Sequence, residues 1–292
     1  MVSSRVVRAV TAVSIGAAVL YGCGSAPTVS RQTPSRADAS RPAPGRAGGT
    51  GMPGQGGGVG RGSPAPPPNP ALPPGSSLAP VPVQAGAASG PVGSLRLTGS
   101  SAVALTFDDG PDPGNTPAIL DLLRQFHVKA TFCLVGWRAR DHPDLVQRIA
   151  AEGHTFCNHS WQHLMDLGHR SPEYITGDLS ATNNVIRGLV PGAQIRYFRA
   201  PGGNFTPALV RVSRALGMTP LYWDVDPRDW DSATYGTGPF MVNHIVSVVE
   251  HHVRPGSIVL SHDNKHPDTT AAYRVLVPWL QAHGYTLEPL PT

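Results

Sequence analysis

The chain has 292 residues, with 23 Lys and Arg against 19 Asp and Glu, which gives a formal net charge of +4. The charge is unevenly distributed: residues 1–95 carry seven Arg and one Asp, whereas residues 96–292 carry 16 basic and 18 acidic residues. No stripe of Lys and Arg interleaved with aromatic residues runs through the second part, so the sequence argues against nucleic-acid binding.

The N-terminus has the pattern of an export signal. Two arginines precede an apolar stretch, Ala9 to Tyr21, that is too short to span a bilayer. We expect residues 1–22 to be a signal peptide of lipoprotein type, with lipidated Cys23 holding the exported chain to a membrane that faces the cell wall. A tyrosine stands where such signals have a small residue, so cleavage after Ala26 followed by secretion is the alternative.

The segment after the signal is poor in residues that build a core. Gly24 to Leu95 contains 15 Pro and 15 Gly among 72 residues and no Phe, Trp or Tyr. Such a segment buries too little apolar surface to offset its chain entropy, so we expect residues 23–95 to be a disordered linker. Residues 96–292 are long enough for one globular domain, which we expect to be monomeric.

Short apolar runs alternate with helical patterns through this domain. The predicted strands are Ala102–Phe107, Ala130–Val135, Thr155–Cys157, Ile195–Phe198, Thr219–Trp223, Ser257–Leu260 and one near Thr286. First helical turns are expected at Pro117, Pro143, Pro172, Pro207 and Pro239. Because strands that alternate with helices form parallel sheets, we predict an α/β fold with its polar residues at the carboxyl ends of strands.

Two adjacent carboxylates, Asp108 and Asp109, follow the first predicted strand. Like charges this close stay ionised in an apolar setting only when a cation or an arginine offsets them. The Gly-Pro that follows breaks the strand and lets both side chains turn toward one site. A turn with a helix cap is the simpler interpretation of this pair when it is taken alone.

Two histidines, His159 and His163, are spaced four residues apart. One helical turn would place both imidazoles on the same face, where they could hold a metal. With one carboxylate they outline a hydrolytic metal site that leaves positions for water and substrate. Taken alone, a pair with this spacing is more commonly two surface histidines.

Three further polar motifs follow in chain order: Arg199-Ala-Pro-Gly-Gly203, Asp226-Pro-Arg-Asp229-Trp230 and Leu260-Ser-His262-Asp263. Together with the carboxylate and histidine pairs, they make the chain from Leu97 to Pro289 resemble the polysaccharide deacetylases of the NodB-homology type, carbohydrate esterase family 4. The resemblance implies an irregular (β/α) barrel of about seven parallel strands. It also implies removal of N-acetyl groups from an amino-sugar polymer of the cell envelope, which we expect to be peptidoglycan or a chitin-like glycan.

The resemblance assigns roles to the residues of these motifs. One divalent ion, expected to be Zn²⁺ with Co²⁺ or Mn²⁺ as alternatives, would be held by Asp109, His159 and His163. The catalytic residues would be the base Asp108 with its partner Arg199, and the acid His262 with its partner Asp229. The substrate pocket would be formed by Trp230, Leu260, Pro201 and Gly202. Simpler alternatives are a surface Arg199, a core Trp230, and a His262 that pairs with Asp263.

One position departs from the family pattern. The third motif often carries a bulky residue, frequently Tyr, where this chain has Gly202. The backbone N–H there could still bind an oxyanion, but we expect that side of the groove to be wider.

Three alternatives to an N-deacetylase stay open. An esterase that removes O-acetyl groups from xylan-like polymers would use the same site. A non-catalytic, envelope-anchored carbohydrate-binding protein would need neither Asp108 nor His262. A two-carboxylate glycosidase would need carboxyl groups about 5–9 Å apart across the sugar bond, which adjacent residues aimed at one metal do not provide.

Two cysteines, Cys133 and Cys157, lie on predicted neighbouring strands. In an exported protein they could form a disulfide, but two buried free thiols fit the sequence equally well.

Overall fold

The computed structural model describes residues 90–292, which lie within one compact unit. The predicted signal peptide, Cys23 and nearly all of the predicted linker lie outside the described residues. Within 90–292, no helix combines the length and the apolar character needed to cross a membrane.

The described residues form six strands and eight α-helices. The strands are β1 (Ala104–Asp108), β2 (Thr131–Leu134), β3 (Thr155–Asn158), β4 (Ile195–Phe198), β5 (Thr219–Pro220) and β6 (Ile258–His262). The helices are α1 (Thr116–Gln125), α2 (Gly136–Asp141), α3 (Pro143–Ala151), α4 (Pro172–Leu189), α5 (Pro207–Ala215), α6 (Ser232–Tyr235), α7 (Pro239–His252) and α8 (Pro267–Ala282). Short 3₁₀ turns lie at Pro91–Gly93, Leu167–His169 and Pro201–Gly203.

The helices begin where proline was expected to start them. A proline without an amide proton costs no hydrogen bond in a first turn, and α1, α3, α4, α5 and α7 all have one there. The hydroxyl of Ser171 accepts a hydrogen bond from the first turn of α4, and that of Thr206 does the same for α5.

All paired strands of the sheet are parallel, in the order β5-β4-β3-β2-β1-β6. The helices connect these strands and pack against the sheet. The predicted parallel α/β architecture is therefore confirmed, as a half-barrel of strands surrounded by helices.

Beside each of the two edge strands, β5 and β6, the chain forms an isolated β-bridge. Val225 pairs with Val259 of β6, while Leu95 pairs with Leu221 just after β5. The predicted fifth strand, Thr219–Trp223, is shorter than expected: β5 ends at Pro220, and Leu221 makes only an isolated bridge. Leu95 therefore belongs to the folded part of the chain, although the predicted linker extended to this residue.

The predicted seventh strand near Thr286 is reduced to one isolated bridge. Val103 pairs with Leu287 in the parallel sense, and its N–H donates to the carbonyl of Thr286 at 2.8 Å. The described strands therefore number six, against the expected seven or so.

Alternation along each strand divides the side chains between two cores. On β1, Leu105 and Phe107 pack under the helices, whereas Ala104 faces a smaller cluster inside the half-barrel. The other members of this inner cluster are Leu95, Cys133, Cys157, Tyr197, Leu221, Ile258 and Leu290. Because side chains on a strand repeat every two residues, the residues two and four positions further on also face inward.

Cys133 and Cys157 are register partners on β2 and β3 and are joined by a disulfide. Both are fully buried in the inner cluster. The sequence left this pairing open, and the strand register decides it.

Candidate active site

The inward-facing register brings the predicted residues to one end of the half-barrel. Asp108 follows Ala104 by four positions on β1, His159 follows Cys157 by two, and Arg199 follows Tyr197 by two. His262, the last residue of β6, is the register partner of Asp108. Strand ends and period-two alternation together place these four side chains around one cavity or directly beneath it.

Asp109 reaches the same site because the strand breaks there. Simple alternation would turn its side chain away from the interior, but its φ of 73° lies in the left-handed region. Such a conformation is uncommon for residues other than glycine, although aspartate adopts it more readily than most, and it clusters at functional sites. It lets both adjacent carboxylates face the histidine pair.

The histidine pair does not lie on a helix, contrary to the interpretation of its spacing. Residues 159–163 form an irregular turn, in which Ser160 and His163 have φ values of 68° and 57°. The two imidazole rings nevertheless lie with their centroids 4.9 Å apart. The turn therefore achieves the same convergence that a helical turn would have given.

Asp109, His159 and His163 form a cluster that could hold a metal ion. The Oδ1 atom of Asp109 lies 3.3 Å from Nε2 of His159 and 3.2 Å from Nε2 of His163. Ligand atoms bound tetrahedrally at about 2.0–2.1 Å from one ion would themselves be about 3.3 Å apart. This Oδ1 atom is also buried and accepts no hydrogen bond. The spacing and the unpartnered oxygen both fit a bound cation.

The orientation of His159 supports the same assignment. Its Nδ1 lies 2.8 Å from the backbone carbonyl of Arg199, so Nδ1 carries the proton that is donated to this oxygen. In the neutral imidazole, Nε2 then directs its lone pair at the carboxylate of Asp109. A cation bound between these two atoms would offset their repulsion.

The pKa shifts at this cluster favour an ionised Asp109 and a neutral His163. Burial raises the pKa of Asp109, but the imidazoles of His159, His262 and His163 outweigh burial, so the net shift is downward. Burial lowers the pKa of His159, but the carboxylates of Asp108 and Asp109 outweigh it and the net shift is upward. Burial, helped by the neighbouring His159, lowers the pKa of His163 to about 4.

Asp108 is paired with a buried arginine. Nη1 of Arg199 lies 2.7 Å from Oδ1 of Asp108, and neither side chain is more than 3% exposed. The same guanidinium donates to the hydroxyl of Thr106 and to the carbonyl of Tyr222, at 2.8 and 3.1 Å. Arg199 is therefore not the surface charge of the simpler interpretation. The contact holds the carboxylate of Asp108 in one orientation.

His262 is paired with Asp229 rather than with Asp263. Nδ1 of His262 lies 2.7 Å from Oδ1 of Asp229, whose Oδ2 accepts from the backbone N–H of His262 and the hydroxyl of Thr269. Burial lowers the pKa of His262, but the carboxylate of Asp229 outweighs it and raises this pKa to about 10. Asp263 instead accepts a hydrogen bond from Thr116.

A cavity of about 380 Å³ opens above these groups. Trp230 lines it with 45% of its surface exposed and with the guanidinium of Arg228 4.9 Å from its ring, so it is not a core tryptophan. Leu260 and Gly202 also line the cavity, whereas Pro201 is buried and does not line it. Further lining residues that the sequence did not assign to the pocket are Met165, Ala200, Gly203, Trp223 and Asp226.

The groove beside Gly202 is not left open, contrary to the expectation. A Cβ atom placed on Gly202 would overlap the methyl group of Met165 and would lie 3.1 Å from its sulfur. The side chain of Met165 therefore covers the space that a larger residue at position 202 would take.

The turn that carries the histidines is held from beneath by polar residues that the sequence did not identify. Oδ1 of Asn158 accepts from the N–H of Ser160 at 2.8 Å, and Oδ1 of Asp178 accepts from the N–H of Trp161 at 2.7 Å. The amide of Asn158 is itself bonded to Asn183 at 2.9 Å. Asp178 and Asn183 belong to α4, and no sequence spacing links this helix to the histidines.

Comparisons with known proteins agree with this arrangement. A family model described as polysaccharide deacetylase matches residues 96–221. A chitooligosaccharide deacetylase of Bradyrhizobium is 38% identical over 208 residues, which cover 67% of this chain and 91% of the relative. A peptidoglycan-N-acetylglucosamine deacetylase of Bacillus cereus is 36% identical over 187 residues, which cover 63% of this chain and 83% of the relative.

The solved structures agree as well. The structure of the peptidoglycan deacetylase PdaC from Bacillus subtilis is 30% identical and matches with a TM-score of 0.58, over 66% of this chain and 89% of that one. Sequence identity of 30–38% over 83–91% of the relatives' length is enough to show the family. The resemblance drawn from the five motifs is therefore confirmed. The chain belongs to the polysaccharide deacetylase family, carbohydrate esterase family 4.

Proposed function

We propose that this enzyme removes N-acetyl groups from glucosamine residues of peptidoglycan in a metal-dependent hydrolysis. The observation that supports this proposal is that a candidate base and a candidate acid line the cavity that also contains Asp109, His159 and His163. Asp108, held by Arg199, and His262, held by Asp229, are register partners on adjacent strands and line the same cavity as Asp109 and the two histidines. A carbohydrate-binding protein would need neither a buried carboxylate base nor an imidazole paired with a buried carboxylate.

The metal would be held by Asp109, His159 and His163. Two imidazole nitrogens and one carboxylate oxygen are typical ligands of catalytic Zn²⁺, and Co²⁺ or Mn²⁺ are the alternatives. When bound, such an ion lowers the pKa of a coordinated water and polarises the acetyl carbonyl.

The residues of the chain supply the proton transfers. Asp108 takes a proton from the attacking water, while Arg199 holds its carboxylate in place. His262 gives its proton to the nitrogen as the C–N bond breaks, because an amine anion is a poor leaving group. Asp229 keeps the imidazole protonated until that step. The products are acetate and the free amine of the sugar.

The substrate pocket supplies orientation. The N–H of Gly202 is the candidate donor to the developing oxyanion, and Leu260 offers an apolar wall for the acetyl methyl. Trp230 presents an aromatic face to a sugar ring. The curated relatives named above are deacetylases of chitooligosaccharides and of peptidoglycan N-acetylglucosamine. Peptidoglycan is the proposed substrate here because the N-terminal sequence has the pattern of an exported, wall-facing protein.

The experiment that tests this proposal compares acetate release from three polymers. Purified peptidoglycan and chitin oligomers contain N-acetyl groups, and acetylated xylan contains O-acetyl groups. We expect release from peptidoglycan at the highest kcat/KM, weaker release from chitin oligomers and little from xylan. Release from xylan alone would replace the proposal with an O-acetyl esterase, and release from none would favour a binding protein.

We further propose that Cys23 is lipidated and that the segment from Gly24 onward tethers the catalytic domain to the membrane. A flexible coil of about 70 residues has a typical reach of roughly 50 Å, enough to search the adjacent wall. The native protein should fractionate with membranes, and Cys23→Ser should move it into the soluble or secreted fraction. Equal partitioning of both forms would favour ordinary secretion after Ala26.

A further inference from the structure

Met165 is an exposed apolar side chain on the wall of the catalytic cavity. It lies two residues after His163, and 55% of its surface is exposed. A large apolar side chain exposed inside a cleft is a feature of binding surfaces, because burying it against a ligand removes apolar area from water. None of the proton-transfer steps described above uses this residue.

Contacts with neighbouring residues hold Met165 in its position. The backbone of Gly202 has a φ of 59°, and only the absence of a Cβ atom there leaves room for the methionine methyl group. The side-chain amide of Asn204 donates to the carbonyl of Met165 at 3.1 Å. A second hydrogen bond joins the same two loops, since the hydroxyl of Thr206 donates to the carbonyl of Gly168 at 2.9 Å. The loop after the histidines is thereby fixed against the loop that follows β4.

Exposed apolar surface is concentrated at this cavity. Among the described residues, five large apolar side chains are markedly exposed, and two of them, Met165 and Trp230, line the cavity. The other three, Val92, Phe240 and Val275, do not line it. A sugar ring has two faces of C–H groups that pack well against an aromatic ring and against a flexible thioether.

The charges of the cavity narrow the class of ring. No Lys or Arg is among its lining residues, whereas Asp226 lines it with one carboxylate oxygen, Oδ1, held by the N–H of Arg228 at 2.8 Å. A carboxylate wall can accept hydrogen bonds from sugar hydroxyls and repels an acidic substituent. At the wall formed by Asp226, the lining therefore suits a neutral amino-sugar ring better than one that carries a carboxylate.

We propose that Met165 is a specificity-determining residue, which packs against the C–H face of a neutral hexosamine ring of the substrate. The proposal rests on the deacetylase function proposed above. Met165 acts on substrate binding and not on proton transfer, and a Cβ atom at Gly202 would displace its thioether.

The test is the effect of Met165→Ala on chitotetraose, a neutral substrate. We expect KM to rise about tenfold, as for the loss of a partly buried apolar contact, while kcat changes by less than about twofold. Met165→Leu conserves the volume and should stay within about threefold of wild type. Val275→Ala, which truncates a similarly exposed side chain outside the cavity, is the matched control and should leave KM unchanged.

A second substrate separates sugar recognition from a structural role. An aryl acetate that lacks a sugar ring should be hydrolysed equally well by wild type and by Met165→Ala. The proposal is overturned if KM for chitotetraose is unchanged in Met165→Ala, or if kcat falls together for chitotetraose and the aryl acetate. If the wild-type protein releases acetate from no glycan, the deacetylase function itself fails and this proposal with it. Because that outcome is measured on the wild-type protein alone, it is distinguished from a failure of the Met165 proposal.

Discussion

The guanidinium of Arg199 and the carboxylate of Asp108 form an ion pair at 2.7 Å in a setting where both side chains are buried. Burying two charges is costly unless their remaining hydrogen-bonding groups also find partners. Arg199 meets part of this requirement through Thr106 and Tyr222. The pair holds the carboxylate of Asp108 beside the cluster of Asp109, His159 and His163, of which Asp108 is not a member.

Asp108→Asn should separate the role of base from that of ligand. The amide keeps the size of the side chain but cannot take a proton, so turnover should fall by about 10²–10⁴-fold while the metal stays bound. The measurement is kcat together with the metal content of the same sample. Loss of the metal in this variant would show that the roles of Asp108 and Asp109 are reversed.

Replacing any one of Asp109, His159 and His163 with Ala should abolish binding of one divalent ion per chain, because two ligands remain of three. Metal content after dialysis, measured by elemental analysis, checks this outcome. His251→Ala is the matched control, because His251 is exposed and lies outside the cluster. A full equivalent of metal in His159→Ala would contradict the assignment of the ligands.

Asp229→Asn should change the pH dependence of the enzyme. In the wild type, Asp229 raises the pKa of His262 to about 10, so the acid stays protonated well above neutral pH. Without that negative charge the pKa falls, and the proton is lost at lower pH. The alkaline limb of the kcat/KM profile should therefore move to lower pH.

Asp231→Asn is the control for this shift, because Asp231 pairs with Arg228 and caps α6 without contacting His262. Its profile should match the wild type. An unchanged alkaline limb in Asp229→Asn would show that His262 is not the group that titrates there.

The disulfide between Cys133 and Cys157 should stabilise the domain by about 3 kcal/mol, given a sequence separation of 24 residues. Unfolding in denaturant with and without reductant measures this contribution. The free energy of unfolding of the wild type should fall when reductant is present. A double variant with Ala at both positions should be less stable than the oxidised wild type and insensitive to reductant. If reductant leaves the wild type unchanged, the bond makes no net contribution.

The sequence predicted the features that depend on local pattern. Alternating strand and helix signals predicted the parallel sheet, and the prolines predicted where five helices begin. The adjacent carboxylates at the end of β1 indicated a site at the strand ends, because two such charges need an offsetting cation. These inferences need only neighbouring residues.

The features that the sequence missed depend on contacts between distant segments. The histidine spacing suggested a helical turn, whereas Ser160 and His163 adopt left-handed conformations in a loop held by Asp178. The widening expected at Gly202 does not occur, because Met165 comes from another loop to cover it. Neither contact has a signal in the spacing of the residues involved.

The most direct test of the central claim is acetate release by one purified sample in three states. The substrate is peptidoglycan, and the enzyme is assayed as purified, after complete removal of metal by a chelator, and after one equivalent of Zn²⁺ is restored. The account predicts activity in the first state, none in the second and recovery in the third. Full activity after the metal has been removed would contradict the assignment of Asp109, His159 and His163 to a catalytic ion.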